Sequence, residues 1–389
     1  MGTLRLAPAS TDDYRRLAER RLPRFLYDYI AGGAYDEVTM AANVDDLRAL
    51  ELRQRVMRDV SAIDTEVEVL GERWAMPLAL APVGMAGMMR RRAEAQAVRV
   101  ADALGLPFCL STVGICSVEE VARAARRPFW FQLYMMRDRG HVKELVGRAA
   151  AAGCRTLVLT VDLAVVGARY RDVRNGLSGG TSAWGRLRGR WGEILGHPRW
   201  AWDVGVRGRP HLFGNLIDYV PDASSPEDFR GWVNAQFDPS VTWDEIAWLR
   251  EIWAGPIVVK GVLTPEDAVA AADAGADAVI VSNHGGRQLD GVSSAIRMLP
   301  RVVDAAGERL DVLLDSGVRS GQDVLRALAL GAKAVLIGRP WIWAMAARGA
   351  PGLRALLETF HAELKTTMQL TGCTAIADVT PDVLEGGGR

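Results

Sequence analysis

Residues 279–291 read Val279-Ile280-Val281-Ser282-Asn283-His284-Gly285-Gly286-Arg287-Gln288-Leu289-Asp290-Gly291, and this stretch changes abruptly from apolar to polar. Its apolar, mostly β-branched beginning predicts a buried strand. The glycines after His284 predict a tight turn, through which the backbone can pass close to a ligand. A neutral imidazole accepts a proton near pH 7, and the guanidinium of Arg287 can bind a carboxylate through paired hydrogen bonds. The stretch therefore predicts a site, at the carboxyl end of a strand, that deprotonates a small acid.

The same alternation of strand, polar turn and helix repeats along residues 77–337. Apolar runs predict strands at Pro77–Val83, Pro107–Ser111, Phe129–Tyr134, Thr156–Asp162, Pro256–Lys260, Ala278–Asn283, Val312–Asp315 and Ala334–Ile337. Helices are predicted at Ala93–Leu104, Val118–Arg126, Gly140–Ala152, Pro265–Ala274, Ser294–Ala306 and Gly321–Leu330. Eight strands that are apolar on both faces and alternate with helices indicate a (β/α)8 barrel. The alternative is a doubly wound open sheet, although no Gly-x-Gly-x-x-Gly motif follows the first strand.

Two segments lie outside this repeat. Residues 1–50 predict N-terminal helices, with a cap at Thr11-Asp12-Asp13, a second start at Pro23 and a stop at Gly32-Gly33. A long insertion, about 167–250, separates the fourth and fifth strands. We therefore expect residues 1–389 to form a single domain. The predicted fold class is α/β, a TIM barrel with an N-terminal helical extension and a long insertion after strand 4.

The composition is that of a globular protein and argues against several functional classes. Of the 389 residues, 49% are hydrophobic and 24% are charged, and the formal net charge is zero. A neutral chain gives no reason to expect a nucleic-acid partner. The cysteines lack C-x-x-C spacing, which predicts a reducing compartment and no metal site. Because we find neither a signal peptide nor a membrane-spanning stretch, we expect the protein in the cytoplasm.

Nearly every predicted strand ends in a polar or ionisable side chain. In a barrel these ends meet at one face, where the active site forms. The residues at the strand ends are Ser111, Thr112, Gln132, Tyr134, Thr160, Asp162, Lys260, His284, Asp315, Gly317, Gly338 and Arg339. Glycine-containing turns after the seventh and eighth strands, with Arg319 and Arg339, predict a phosphate site. The sequence therefore predicts two ligands, a phosphorylated cofactor and a small acid near His284.

From about Tyr14 to Asp378, these motifs resemble the FMN-dependent α-hydroxy-acid dehydrogenase and oxidase family. The most specific motif is the run from Ser282 to Asp290. The supporting motifs are Phe131-Gln132-Leu133-Tyr134, Thr160-Val161-Asp162, Gly167-Ala168-Arg169-Tyr170-Arg171-Asp172, Val259-Lys260-Gly261 and Asp315-Ser316-Gly317. Within the family, the Gly167–Asp172 run and the N-terminal Tyr29–Ala34 run resemble bacterial respiratory L-lactate dehydrogenases.

The resemblance implies a role for each matching residue. His284 would be the active-site base, and Asp162 the carboxylate that orients it. Arg169 and Arg287 would bind the substrate carboxylate. Tyr29 and Tyr134 would form hydrogen bonds with the substrate. The implied FMN-binding residues are Ser111, Gln132, Thr160, Lys260, Asp315, Gly317, Arg319, Gly338 and Arg339.

The resemblance also implies the reaction, which is FMN-dependent oxidation of an L-2-hydroxy acid, L-lactate to pyruvate. A quinone or a cytochrome would accept the electrons, and the assembly would be a homotetramer. An alternative within the family is an oxidase that uses oxygen and acts on larger or aromatic substrates such as mandelate. The run Leu163-Ala164-Val165-Val166 bears on that choice, because lactate-type relatives usually carry a proline-containing turn there. Alternatives from other classes are a phosphate-binding barrel isomerase without net redox chemistry and a non-catalytic barrel that binds a partner.

The insertion contains a basic and aromatic segment at residues 184–209. It carries four tryptophans and six arginines against two acidic residues, Glu193 and Asp203. Tryptophan favours the membrane interface and arginine is attracted to anionic headgroups, so one interpretation is a peripheral contact with the inner face of the cell membrane. The other is a lid that folds over the barrel mouth with its tryptophans packed.

Overall fold

Eight parallel strands form the central sheet of the structure, a computed structural model that describes residues 7–177, 192–219, 231 and 235–388. The strands in chain order are β1 (Val67–Val69), β2 (Glu72–Trp74), β3 (Leu78–Leu80), β4 (Cys109–Ser111), β5 (Trp130–Leu133), β6 (Thr156–Thr160), β7 (Ile257–Val262), β8 (Ala278–Val281), β9 (Asp311–Leu314) and β10 (Ala334–Ile337). The central sheet has the order β3-β10-β9-β8-β7-β6-β5-β4. A parallel bridge between Leu80 and Phe108 joins its two outer strands. The sheet is therefore a closed barrel, which confirms the predicted fold class and excludes the open sheet.

Helices cover the outside of this barrel and both ends of the chain. In the described residues they are α1 (Thr11–Arg21), α2 (Arg24–Ala31), α3 (Val38–Ala49), α4 (Ala86–Met89), α5 (Ala93–Ala103), α6 (Val118–Ala124), α7 (Arg139–Ala151), α8 (Tyr170–Arg174), α9 (192–196), α10 (Pro198–Trp200), α11 (Asp244–Ile252), α12 (Pro265–Asp273), α13 (Ala295–Ala306), α14 (Gly321–Ala329), α15 (Arg339–Arg348) and α16 (Ala350–Thr371). A π-helical turn follows α10 at Ala201–Val206, and short 3-10 turns lie at Ile217–Tyr219, Ile376–Asp378, Pro381–Val383 and Glu385–Gly388. The described part of the chain contains no helix that is both long and apolar enough to cross a bilayer.

The residue that caps the first helix lies immediately before the predicted cap. The Ser10 side chain accepts a hydrogen bond from the amide of Asp13, whose carboxylate accepts one from the Ser10 amide. This reciprocal pair is a capping box, so Ser10, rather than the predicted Thr11-Asp12-Asp13 run, caps the helix.

The N-terminal extension is fastened to the carboxyl face of the barrel by side chains of the loop after β8. Asp290 accepts hydrogen bonds from the amides of Val38 and Thr39 at 3.2 and 2.7 Å, which places a carboxylate at the start of α3. One turn further along α3, Asn43 and Asn283 exchange two amide hydrogen bonds of 2.8 Å in a buried environment. These contacts hold the extension beside the end of β8, where the sequence predicted the site.

The insertion between β6 and β7 contains α8 to α10, the π-helical turn and the Ile217–Tyr219 turn. Its last predicted residues belong to α11, the barrel helix that precedes β7. The predicted membrane or lid residues Trp184, Arg186, Arg188, Arg190 and Trp191 lie outside the described residues. In the described remainder, Trp200 is buried and its Nε1 donates to the carbonyl of Met88 at 2.8 Å, whereas Trp202 is 62% exposed. The segment therefore contains a packed tryptophan as well as an exposed one.

A short hairpin, β1–β2, closes the amino-terminal end of the barrel, and the sequence patterns did not predict it. Trp74 is 1% exposed and its ring lies 5.6 Å from that of Trp130, the first residue of β5. Nearby, the amide of Leu70 donates to the carboxylate of Asp311 at 2.9 Å, at the start of β9. Val69 and Trp74 pack with the inward-facing side chains of the strands, which include Ala79, Cys109, Trp130, Val158, Val258, Ala278, Ile280, Leu313, Ala334 and Leu336. The hairpin thus completes the core inside the barrel.

We expect Trp74→Ala to lower the free energy of unfolding by about 3–5 kcal/mol, because a large buried ring would leave a cavity. Urea unfolding followed by far-ultraviolet circular dichroism measures this change. Glu68→Ala, on the exposed face of the same hairpin, is the matched control and should stay within about 0.5 kcal/mol of the unsubstituted protein. Equal stability of the two variants would show that the hairpin does not seal the core.

Candidate active site

A cavity of about 440 Å³ opens at the carboxyl ends of the barrel strands. Twelve of the predicted site residues line it, and they are Tyr29, Tyr134, Thr160, Arg169, Lys260, His284, Arg287, Asp315, Gly317, Arg319, Gly338 and Arg339. The other three lie immediately behind this lining. Asp162 contacts His284, and Ser111 donates to the side-chain oxygen of Gln132 at 3.0 Å between buried strand ends. The structure therefore brings all the predicted residues to one place.

The imidazole of His284 and the carboxylate of Asp162 form the central pair of this cavity. Asp162 Oδ1 lies 2.8 Å from His284 Nδ1, and the His284 amide donates to Ser282 Oγ at 3.0 Å. Burial lowers the pKa of His284 below its usual value, although Asp162 opposes this effect. Burial alone would raise the pKa of Asp162, but His284 and Lys260 reverse the shift and lower it. A neutral imidazole therefore donates through Nδ1 to an ionised carboxylate, which leaves Nε2 as the nitrogen available to a ligand.

His284 holds this position through an unusual backbone conformation. Its φ angle is +57°, in the left-handed region that residues with a side chain seldom adopt. The bond from the His284 amide to Ser282 stabilises the turn, and the following Gly285 also has a positive φ, of +67°. Such local strain is typical of residues whose placement serves a site.

The ammonium of Lys260 lies at the floor of the site, between two acidic groups. Lys260 Nζ lies 3.1 Å from Asp315 Oδ2 and donates to Ser282 Oγ at 3.1 Å. Burial disfavours the charged ammonium, but the carboxylates of Asp315 and Asp162 outweigh it, so the pKa of Lys260 is raised. Lys260 is therefore a permanent buried cation, and Ser282 connects it to the His284 turn.

Four arginines give the cavity a strongly cationic wall, and they are Arg169, Arg287, Arg319 and Arg339. Burial lowers the pKa of Arg169 and of Arg319 to about 10, and it lowers the pKa of Arg339 as well. Repulsion from Arg287 adds to the effect at Arg169 and Arg339. Crowded buried cations are costly unless anions neutralise them. The wall is therefore suited to anionic ligands such as a carboxylate and a phosphate.

Arg287 joins the N-terminal extension to the site. Its Nη1 donates to the carbonyls of Tyr29 and Gly32 at 2.5 and 3.0 Å, and its Cζ lies 4.9 Å from the centre of the Tyr29 ring. Arg339 Nη2 donates to the same Gly32 carbonyl at 2.8 Å. Asp290, three residues after Arg287, accepts from the amides at the start of α3. The two arginines thereby place Tyr29 in the cavity wall.

The two predicted phosphate-binding glycines have different surroundings. Gly317 has a φ of +101°, and a Cβ there would lie 2.0 Å from the carbonyl oxygen of Asn43. This position therefore needs glycine because α3 packs against it. At Gly338 a Cβ would have its nearest neighbour, in Val83, 3.9 Å away. Gly338, unlike Gly317, leaves open space on the cavity side, next to the N-terminus of α15.

Several residues of the site were missed at the level of sequence. Ser282 and Gln288 lie in the most specific motif, yet no role was predicted for either of them. Ser282 accepts from both Lys260 and the His284 amide. Phe213 and Phe237 come from the insertion and line the cavity, and the Phe237 ring lies 5.0 Å from that of Tyr134. No local pattern distinguishes these phenylalanines from ordinary core residues.

Comparisons with known proteins are consistent with this arrangement. Residues 18–386 match the family model described as FMN-dependent dehydrogenase. An L-lactate dehydrogenase of Caulobacter vibrioides is 56% identical over 376 residues, which cover 97% of each chain. An L-lactate dehydrogenase of Alcaligenes faecalis is 51% identical over 97% of this chain and 98% of its own. The crystal structure of the monotopic membrane protein (S)-mandelate dehydrogenase superposes with a TM-score of 0.91 at 38% identity, over 97% of this chain and 99% of that one.

We expect the pKa of His284 to lie below its usual value near 6.5 and to fall further in Asp162→Asn, because the carboxylate that favours the imidazolium is removed. Nuclear magnetic resonance titration of the imidazole carbon-bound protons measures both values, with the His284 signal assigned by its loss in His284→Gln. Asp304→Asn, an exposed position on α13, is the control. An unchanged or higher pKa in Asp162→Asn would contradict the paired arrangement.

Proposed function

We propose that this chain, which belongs to the FMN-dependent dehydrogenase family, oxidises L-lactate to pyruvate. Family membership confirms the resemblance drawn from the sequence motifs. One observation carries the proposal for the reaction: a neutral imidazole, oriented by an ionised carboxylate, shares a cavity with the guanidinium groups of Arg169 and Arg287. A proton acceptor beside a carboxylate clamp is what the oxidation of a 2-hydroxy acid requires.

The residues of the cavity fit the FMN on which the family depends. Gln132 Nε2 and Thr160 Oγ1 are buried without a hydrogen-bond partner among the residues that the structure describes. The carbonyl and imide groups of an isoalloxazine ring can satisfy them. The open space at Gly338, with the cationic groups of Arg319 and Arg339 nearby, accommodates a phosphate. We assign the ring to Ser111, Gln132, Thr160 and Lys260, and the ribityl phosphate to Asp315, Gly317, Arg319, Gly338 and Arg339. Bound there, FMN supplies the two-electron acceptor for the reaction.

The substrate carboxylate is bound by Arg169 and Arg287. Guanidinium groups bind carboxylates through paired hydrogen bonds, and burial strengthens the interaction. Tyr29 and Tyr134, which also line the cavity, donate to the substrate through their hydroxyl groups. Burial raises the pKa of Tyr134, which keeps its phenol protonated and able to donate.

His284 removes a proton from the bound acid through Nε2, since Nδ1 is engaged by Asp162. The lowered pKa of His284 keeps the imidazole neutral, and therefore basic, at neutral pH. Once it is protonated, the ionised Asp162 stabilises the imidazolium through the 2.8 Å hydrogen bond. The permanent charge of Lys260 lowers the energy of negative charge that develops at the floor of the site.

A second candidate substrate is an aromatic 2-hydroxy acid such as mandelate. Phe213 and Phe237 add aromatic walls to the cavity, and Leu163 and Val166 add aliphatic ones. A solved structure of (S)-mandelate dehydrogenase is similar over nearly the whole chain. The higher identity to relatives named L-lactate dehydrogenase makes L-lactate the first choice.

We further propose that a membrane quinone accepts the electrons and that the chain contacts an anionic membrane surface peripherally. In the described part of the insertion, Leu195, Trp202 and Val206 are 77%, 62% and 54% exposed. Two exposed arginines, Arg199 and Arg207, lie in the same stretch of sequence. Exposed apolar groups next to arginines favour a bilayer interface. The homotetramer implied by the family resemblance is part of the same proposal, and sedimentation equilibrium measures it.

We expect anaerobic L-lactate to bleach the visible absorbance of the bound flavin. His284→Gln should retain FMN but reduce it about 10²- to 10⁴-fold more slowly, because general base catalysis typically contributes a factor of this size. Stopped-flow absorbance with L-lactate, D-lactate, glycolate and L-mandelate gives the rates. His361→Gln, whose imidazole contacts Thr65 away from the cavity, is the control. Faster bleaching by L-mandelate than by L-lactate would favour the second candidate, and bleaching by none of the acids would refute the proposed reaction.

We expect the protein to sediment with anionic vesicles at low ionic strength and less so at high salt, because salt screens the arginines. Replacing Leu195 and Trp202 by serine should weaken binding by roughly tenfold or more, since a fully buried apolar side chain contributes about 1.5–3 kcal/mol. Met57→Ser, a fully exposed apolar position outside the insertion, is the control. If the double variant and the control bind equally, these side chains do not contact the membrane.

A further inference from the structure

Gln288 lies between the loop after β6 and the loop after β8, and its amide group connects them. Its Nε2 donates to the carbonyls of Asp162 and Val165, both at 2.9 Å. Its Oε1 accepts from the amide of Gly167 at 3.3 Å and lies 3.5 Å from Arg169 Nη2. One side chain thus contacts four residues of the segment 162–169.

The backbone of this segment lies directly against the loop that carries Gln288. A Cβ at Gly167 would lie 2.5 Å from the Gln288 carbonyl oxygen and 2.7 Å from that of Arg287. Only a residue without a side chain fits this approach. The close packing of Gly167 does not involve the Gln288 amide. It is a second, independent sign that the segment 162–169 packs against the loop after β8.

The segment has little apolar burial to hold it in place. Val165 and Val166 are 71% and 45% exposed, and Ala164 is exposed as well. Hydrogen bonds therefore contribute much of the stability of this segment in its observed position. At its far end the amide of Tyr35 donates to the carbonyl of Ala168 at 2.8 Å.

The two ends of the segment carry two groups of the site. Asp162 is the carboxylate that contacts His284 at 2.8 Å, and Arg169 is one of the two arginines that we assign to the substrate carboxylate. Arg169 Nε also lies 3.4 Å from the carbonyl of Arg287. Any movement of the segment would displace both groups relative to His284.

We propose that Gln288 is a positioning residue: its amide holds residues 162–169 against the His284 loop and so sets both the carboxylate that orients the base and the guanidinium that binds substrate. This role rests on the proposed function for its effect on catalysis. The amide is suited to the task because it donates to two carbonyls while it accepts from an amide and a guanidinium. A glutamate has the same shape, but it can only accept. It would keep the contacts with the Gly167 amide and Arg169 and lose the two hydrogen bonds to the carbonyls of Asp162 and Val165.

The test uses the FMN-loaded protein with Gln288→Leu and Gln288→Glu. Gln369→Leu is the matched control, since its amide donates to the carbonyl of Val60 at 3.3 Å, away from the cavity. Hydrogen exchange followed by mass spectrometry measures protection of the segment 162–169. The dissociation constant of propionate, which resembles lactate without its hydroxyl group, measures the carboxylate clamp. The pH profile of kcat/KM for L-lactate measures the base.

In Gln288→Leu we expect faster exchange in residues 162–169, weaker propionate binding and a kcat/KM lower by on the order of 10²-fold, because small misplacements of reacting groups are costly. The acid limb of the profile should move to lower pH, since a displaced Asp162 no longer raises the pKa of His284. Gln288→Glu should show the same faster exchange. Its new carboxylate, placed near Arg169, should weaken propionate binding at least as much.

Unchanged propionate binding and an unchanged acid limb in both variants would overturn the proposal, even if exchange becomes faster, because the contact would then be only structural. The isosteric Gln288→Glu carries the test alone if Gln288→Leu does not fold. If no 2-hydroxy acid reduces the flavin of the unsubstituted protein, the proposed function fails. In that case, exchange and propionate binding still decide the role of Gln288.

Discussion

The accumulation of positive charge in one cavity is the constraint on which the rest of the site depends. Lys260 and four arginines share the carboxyl face of the barrel. Burial lowers the pKa of Arg169, Arg319 and Arg339, and repulsion from Arg287 adds to the effect at Arg169 and Arg339. Holding these cations together costs free energy. Part of that cost is offset by the carboxylate of Asp315 beside Lys260 and by the Gly32 carbonyl, which accepts from Arg287 and Arg339. The positive charge that is not offset in this way favours anionic ligands. FMN and a 2-hydroxy acid would supply a phosphate and a carboxylate.

The same electrostatic balance explains why the N-terminal extension lies where it does. Carbonyl oxygens of Tyr29 and Gly32 accept from Arg287, so the extension supplies partners to a guanidinium of the cavity as well as a wall to the cavity. The Asn43–Asn283 pair and the Asp290 cap fix the next helix to the loop after β8. A change in this loop therefore affects His284, Arg287 and the extension together.

His284, which we propose as the base, and the arginines that we propose for the substrate carboxylate are linked through the loops rather than through the strands. Ser282 accepts from Lys260 and from the His284 amide, while Gln288 contacts the segment that carries Asp162 and Arg169. The strands give each loop a rigid start, because their ladders are continuous around the barrel. The final alignment depends on a few side-chain hydrogen bonds between loops, which is where a small substitution should have a large effect on the reaction.

The sequence by itself determined the barrel, because the barrel follows from local patterns, and it supplied the residues that we propose for the site through strand ends and through motifs that resemble a known family. Apolar runs that alternate with amphipathic helices predict parallel strands, and the chemistry of such a barrel gathers at the polar residues that end them. Only the tertiary structure decided the β1–β2 hairpin, the pairing of Arg287 with Tyr29, the packing of Gly317 on Asn43 and the contacts of Gln288. Gln288 and Asp162 are 126 residues apart, and the strands of the hairpin have three residues each, too few for a periodic signal. Such contacts depend on which loops the closed barrel brings together, and no local pattern contains that information.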